Sequence, residues 1–120
     1  MVRVIREPVI VPSVGTRPKR IAEYAGRVAT GDTELSLAVM KSPQGWEEPA
    51  QTPTFDEYTL VLRGAIRIET QAATVVVRAG ELAIATAGEW VRYSTPEPGG
   101  AEYIAVCRPA FSADTVHRDE

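Results

Sequence analysis

The sequence predicts an all-β sandwich or barrel with one short helix near its start. Three observations lead there. Runs such as Glu34 to Lys41 and Ala65 to Thr70 alternate apolar and polar residues with a period of two. Nine glycines and nine prolines are spread along the chain as punctuation between short runs, not gathered into linkers. Only Pro18 to Ala25, PKRIAEYA, carries helix signals, with Pro18 suited to a first helical position and Gly26 just beyond the end.

Taken in order, residues 2–6 and 9–11 read as short strands separated at Pro8, at an edge where proline is tolerated. The helix of one or two turns follows, with Ile21 and Tyr24 or Ala25 as its apolar side. Val28 to Thr30 and Glu34 to Lys41 read as two strands joined at Gly31-Asp32, and Ser42 to Gly45 as a turn. An irregular stretch then reaches the acidic pair Asp56-Glu57 and becomes an apolar strand that stops at an Arg63-Gly64 turn. Beyond it comes a meander: Ala65 to Thr70, Thr74 to Arg78, Leu82 to Ala85, Glu89 to Thr95 and Ala101 to Cys107. The Gln71-Ala72-Ala73 turn lacks the glycine or asparagine of a tight hairpin. The tail from Pro109 reads as one helical turn or an extended segment across the body.

Composition bounds what such a domain can do. At 120 residues the chain suits a single domain, which can bury roughly two-thirds of its unfolded surface in one core. A net charge of −3 argues against nucleic acid as the main partner, because phosphate neutralisation needs clustered Lys and Arg. Cys107 is the only cysteine, so an intrachain disulfide is impossible and a reducing compartment is expected. No apolar run approaches the length of a membrane span, and the N-terminal MVRVIREPVIVP is interrupted by charges and prolines, unlike a signal peptide. A cytoplasmic location is the expectation, with no membrane partner.

The stretch from Gly45 to about Cys107 resembles the cupin superfamily of small jelly-roll barrels. The family's first motif runs from a glycine through a His-x-His pair and a glutamate to a closing glycine. Here Gly45, Glu57 and Gly64 take the glycine, glutamate and glycine positions, while the histidine positions hold Gln51 and Pro53. In the second motif Gly80 and Gly88 fit, Thr86 stands for the proline and Val91 for the histidine. The resemblance implies a cupin-like jelly-roll β-barrel spanning residues 1–120: N-terminal strands and helix at 1–44, barrel core at 45–107, tail at 108–120. It also implies a metal-site skeleton with three of its four ligands replaced. Pro109-Ala110-Phe111 followed by a histidine is similar to the tail of some small cupins that work without metal. No metal and no cofactor are therefore expected.

In the cupin arrangement Glu57 points into the barrel, where burial would raise its pKa toward the range useful for acid–base work at neutral pH. A structural carboxylate bonded to Tyr93 or a backbone amide is the competing expectation. Alternation places Thr59 and Val61 inside with Glu57, and Tyr58, Leu60 and Leu62 outside. Val91 holds an inward position, so Tyr93 should face in and Arg92 out. Gln51, Glu57, Val91 and Tyr93 then form an apolar pocket with a few converging polar groups.

Trp46 and Trp90, near the expected mouth, are either stacking surfaces for a ligand or, preferably, core or interface aromatics. Glu47 and Glu48 read as a solvated pair. His117 and Asp114 reach the pocket if the tail folds over the mouth, making Glu57, Tyr93 and His117 the candidate acid–base residues. Cys107 reads as a buried, inert thiol.

Three functions remain open: an isomerase- or lyase-type acid–base enzyme acting on a small organic molecule, a ligand-binding or sensing module, and a scaffold whose barrel is filled by its own side chains. The apolar N-terminal strands would leave an edge to cover, so a homodimer is expected.

Overall fold

A computed structural model describes residues 1–119. The described residues form nine strands and one short helix: β1 (Val9–Val11), β2 (Arg20–Ala25), β3 (Ser36–Ser42), β4 (Trp46–Glu47), β5 (Asp56–Thr70), β6 (Thr74–Arg78), β7 (Leu82–Ala85), β8 (Val91–Thr95), β9 (Ala101–Arg108) and α1 (Ala113–Val116). Every pairing is antiparallel, and the strands run β1-β2-β3-β9-β5-β8-β4, with β6 and β7 also paired to β5. The sheet curls into a half-barrel: the strand rhythm predicted an all-β fold, and the jelly-roll form is the one the resemblance implied.

Strand β5 belongs to both layers. Its first half pairs with β7 and β9, its second half with β6 and β8. The expected stop at Arg63-Gly64 is therefore a bend within one long strand. The register with β9 shifts between Val61 and Arg63. Gly64 sits at φ 76°, where a Cβ would come within 2.0 Å of the Gly100 carbonyl oxygen. Only glycine lets the two backbones approach so closely.

The N-terminal third departs most from the sequence expectation. Residues 18–25 are not a helix; Arg20–Ala25 is a strand held between β1 and β3. A helix of eight residues is marginal alone, and here two ladders of backbone hydrogen bonds outweigh its local signals. Residues 2–6 are exposed and not a strand. Val28 to Thr30 is a tight turn: Glu23 Oε2 accepts from the Val28 and Ala29 amides at 3.0 and 2.7 Å, and the Thr30 amide donates to the Gly26 carbonyl. The one helix lies in the tail, where Ser112 and Thr115 form a reciprocal cap.

The β5–β6 turn manages without glycine because the Thr70 hydroxyl accepts from the Ala72 and Ala73 amides and donates to the Ala73 carbonyl.

The core lies between the layers. Trp46, Val61, Ile66, Ile68, Val77, Val91, Tyr93, Ala101 and Tyr103 form its main cluster. A smaller one, Phe55, Cys107 and Val116 with Phe111 against it, sits under the tail. The tail is stitched across the barrel end. Thr52 and Thr54 amides donate to the His117 and Thr115 carbonyls at 3.0 and 2.9 Å, and the Asp119 amide donates to the Ala50 carbonyl at 2.7 Å. No helix of the described residues is long and apolar enough to cross a membrane.

Candidate functional site

Between the layers, closed on one side by the tail, lies a cavity of about 90 Å3. The barrel is not filled by its own side chains. Strand pleating decides who faces this space. Glu57 lies opposite Cys107 on β9 and Ala85 on β7, and its side chain turns inward while Asp56 turns out. Asp56 accepts from the Ala87 amide at 2.9 Å and pairs with Arg108 at 3.7 Å. Two residues along β5 from Glu57, Thr59 and then Val61 are buried, whereas Leu60 and Leu62 are exposed, as alternation predicted.

The polar wall comes from six parts of the chain. Glu57 comes from β5, Tyr93 from β8 and Tyr103 from β9. Glu48 and Gln51 come from the segment after β4, Lys19 from just before β2, and Arg118 from the tail. Ala38, Met40 and Ala105 supply apolar surface, and Trp46 and Cys107 also face the cavity.

Lys19 Nζ sits 4.1 Å from the Trp46 ring centroid and donates to the Tyr103 hydroxyl at 3.4 Å. That hydroxyl is also within 2.9 Å of Ser42 Oγ. Arg118 stacks over Phe111 at 5.8 Å, and its Nε is buried without a hydrogen-bond partner among the described residues.

The acids respond to this setting. Burial pushes Glu57 up from 4.5 to about 7, with the Glu48 carboxylate adding to the rise and Lys19 opposing it. Glu48 is also raised, by burial against the opposing pull of Lys19 and Arg118. Burial, then the Glu57 charge, raises the Tyr93 phenol far above its ordinary value and likewise raises the Cys107 thiol, so both stay protonated near neutral pH. Among the described residues Glu57 forms no hydrogen bond to Tyr93 or to a backbone amide. The structural-carboxylate expectation therefore lacks its contacts, and Glu57 is left facing the cavity.

Among the expected site residues, the structure brings Glu57, Tyr93, Gln51 and Trp46 to the cavity. Thr59, Val61 and Val91 are buried beside it in the core but do not form its wall. Trp90 lies elsewhere, bordering a shallow surface hollow and donating to Asp119 at 2.9 Å. His117 is a correction. The tail does cross the barrel end, but His117 is exposed at the end of α1 in a left-handed conformation (φ 50°), and Asp114 is exposed too. The tail presents Phe111 and Arg118 instead.

Glu48 is a second correction: it is buried against the cavity, while its neighbour Glu47 turns out to pair with Arg67 at 3.9 Å. Lys19, Tyr103 and Arg118 escaped the sequence analysis because their convergence depends on strand order. Glu47 ends β4 and Glu48 follows it, and neighbours along an extended chain face opposite sides, which is the local signal that separates the pair.

The resemblance to the cupins raises the question of a metal. The positions matching its ligands hold Gln51, Pro53, Val91 and Glu57; proline and valine side chains have no donor atom. Among the described residues no three His, Cys, Asp or Glu side chains converge as a metal would need. The residues present do not fit the family's metal.

Comparison with known proteins assigns the class. Solved structures with the same fold include a predicted oxalate decarboxylase from Thermotoga maritima (19% identity, TM-score 0.74, 91% of this chain and 99% of that one). The Clostridium difficile EutQ protein matches at 21% identity and TM-score 0.65, over 81% and 72% of the two chains. The cupin domain of Schizosaccharomyces pombe Cnp3 matches at 14% and 0.66, over 76% and 61%. The fold is that of the cupins.

No family model matches the chain. A curated relative, the endoribonuclease YbeY of Myxococcus xanthus, is 38% identical over 101 residues, which take in 84% of this chain. The match covers 34% of that protein, so the chain spans about a third of its length.

Proposed function

We propose that the barrel cavity binds a small organic molecule and that Glu57 exchanges a proton with it. The observation that carries this is a carboxyl group facing an open cavity with no hydrogen-bond partner among the described residues, its pKa brought to about 7 by burial and by Glu48. Such a group is half ionised at neutral pH and serves equally as acid or base. Tyr93 and Tyr103, held protonated, are hydrogen-bond donors beside it. Isomerisation and elimination need little more than this. A module that binds without chemistry would use the same wall.

The activity that the relative's name gives, RNA cleavage, is no part of this proposal. A net charge of −3 and surface arginines already paired, such as Arg78 with Glu97 at 3.2 Å, suit a phosphate backbone poorly.

The test is a ligand-observed NMR screen of fragments of up to about six heavy atoms, followed by calorimetry of the hits in buffers of different ionisation enthalpy. Hits should disappear in Ala105→Leu, which fills the cavity. Near pH 7 their binding should move up to about half a proton, and Glu57→Gln should abolish that proton. Hits indifferent to both substitutions would sink the proposal.

The proposal includes pairing with a second copy of the chain, supported by exposed apolar residues on edge strand β1 and on β7, among them Ile10, Leu82 and Ile84. Light scattering at micromolar concentration should give twice 13.0 kDa; a monomer mass would refute it.

A further inference from the structure

Resting on the cavity site proposed above, we infer that its ligand is a short-chain carboxylate, held at its anionic end by Arg118 and Lys19. Arg118 carries a permanent charge, and its Nε is buried with no acceptor among the described residues. Buried donors are almost always partnered, those on charged groups above all. The protein offers candidate acceptors nearby but does not use them. Glu48 is close enough for its ionisation to feel both Arg118 and Lys19, yet none of the observed ion pairs joins Glu48 or Glu57 to either cation.

Lys19 is in the same position. Its ammonium meets the faces of Trp46 and Tyr103, at 4.1 and 5.7 Å, and the Tyr103 hydroxyl, but no carboxylate of the described residues within ion-pair reach.

The acids on the wall do not compete for the role. Glu23 is committed to the Val28 and Ala29 amides. Burial pushes Glu48 and Glu57 toward their neutral forms, in which they can bond a ligand oxygen without repelling it. An amine would meet two fixed cations, and a purely apolar guest would leave Arg118 unanswered. The volume of about 90 Å3 is small for an aromatic or a sugar ring and suits a guest of a few carbons. Ala38, Met40 and Ala105 are placed to take its hydrocarbon part. A guanidinium binds a carboxylate with directed N–H donors, and the buried Nε is such a donor.

The experiment is calorimetric titration of the wild-type protein at pH 6 with propanoate, propanamide and propylamine, which share a carbon chain and differ in charge. Propanoate should bind at least tenfold more tightly than propanamide, and propylamine should give no heat. Arg118→Gln should reduce propanoate to the level of propanamide, with thermal melting reporting whether that variant is folded. If it is not, the comparison of the three probes on the wild type still decides. Equal binding of propanamide, or preferred binding of propylamine, with either lost in Ala105→Leu, would overturn the carboxylate and leave the cavity site standing. Silence from all three probes, together with a fragment screen that finds no Ala105-dependent hit, would overturn both.

Discussion

Replacing Glu57 with glutamine should stabilise the protein by about 3 kcal/mol at pH 8 and by less than about 1 kcal/mol at pH 5. The carboxyl group is raised from 4.5 to about 7 in the folded chain. At 1.36 kcal/mol per pH unit, that is about 3 kcal/mol. The sign follows from proton counting. Between those two values the folded state holds the proton and the unfolded state has released it. Stability contributed by the protonated group is thus complete below about pH 4.5 and is lost as pH rises through about 7.

Glutamine has the shape of the protonated acid and never ionises, so the variant avoids the loss. Urea unfolding at pH 5 and pH 8 measures this directly. With an m-value of about 1.5 kcal/mol per molar, the midpoint of Glu57→Gln should exceed that of the wild type by roughly 2 M at pH 8. Glu48 remains in both proteins, so its own pH dependence largely cancels in the comparison. Equal midpoints at pH 8, or a Glu57 carboxyl carbon that titrates near 4.5 by NMR, would refute the desolvated placement of this side chain.

The close backbone approach at Gly64 predicts that Gly64→Ala loses at least about 2 kcal/mol in urea unfolding, because a left-handed residue costs about 1–2 kcal/mol and the 2.0 Å clash with the Gly100 oxygen adds to it. Gly80 has a similar φ of 86° but open space around it, so Gly80→Ala should show the conformational cost alone; equal losses at the two sites would contradict the clash. Val116 is buried with Phe55 beneath the tail, and Val116→Ala should remove about 1.5 kcal/mol of burial. Hydrogen exchange at the Thr52 and Thr54 amides, which donate to tail carbonyls, should speed up more than at the core of β5. A uniform change would show that the tail does not open separately.

The strand pattern was legible where one face of the sheet is buried, because pleating then imposes a period of two on the sequence. Glu57, Thr59 and Val61 against Leu60 and Leu62 is such a case, and so is Tyr93 against Arg92. The helix expected at Pro18 to Ala25 shows the opposite situation. Its proline and glycine are honest punctuation, but they mark the ends of a strand just as well, and the choice was made by β1 and β3, which no local window contains.

The site was legible to the same degree. A resemblance carried along one strand located Glu57, and alternation extended it to Tyr93. The cations did not follow, since Lys19 and Arg118 stand 99 positions apart in sequence and meet only because the tail crosses the barrel end. In the tail, His117 is the residue whose side-chain chemistry suits acid–base work. The turn at the end of α1 leaves it exposed, while its neighbour Arg118 faces the cavity.

Strand β5 has a further consequence. Its two halves complete different layers, so neither layer has a full set of strands until the other is also in place. Its longest partner, β9, lies more than 30 residues further along the chain. Closing such long loops before any pairing is gained slows folding. It also ties the layers into one cooperative unit, so denaturation should be a single transition with the same midpoint for tryptophan fluorescence and backbone circular dichroism. A carboxyl group that resists ionisation costs the whole molecule stability, and the shared strand is what spreads that cost across both layers.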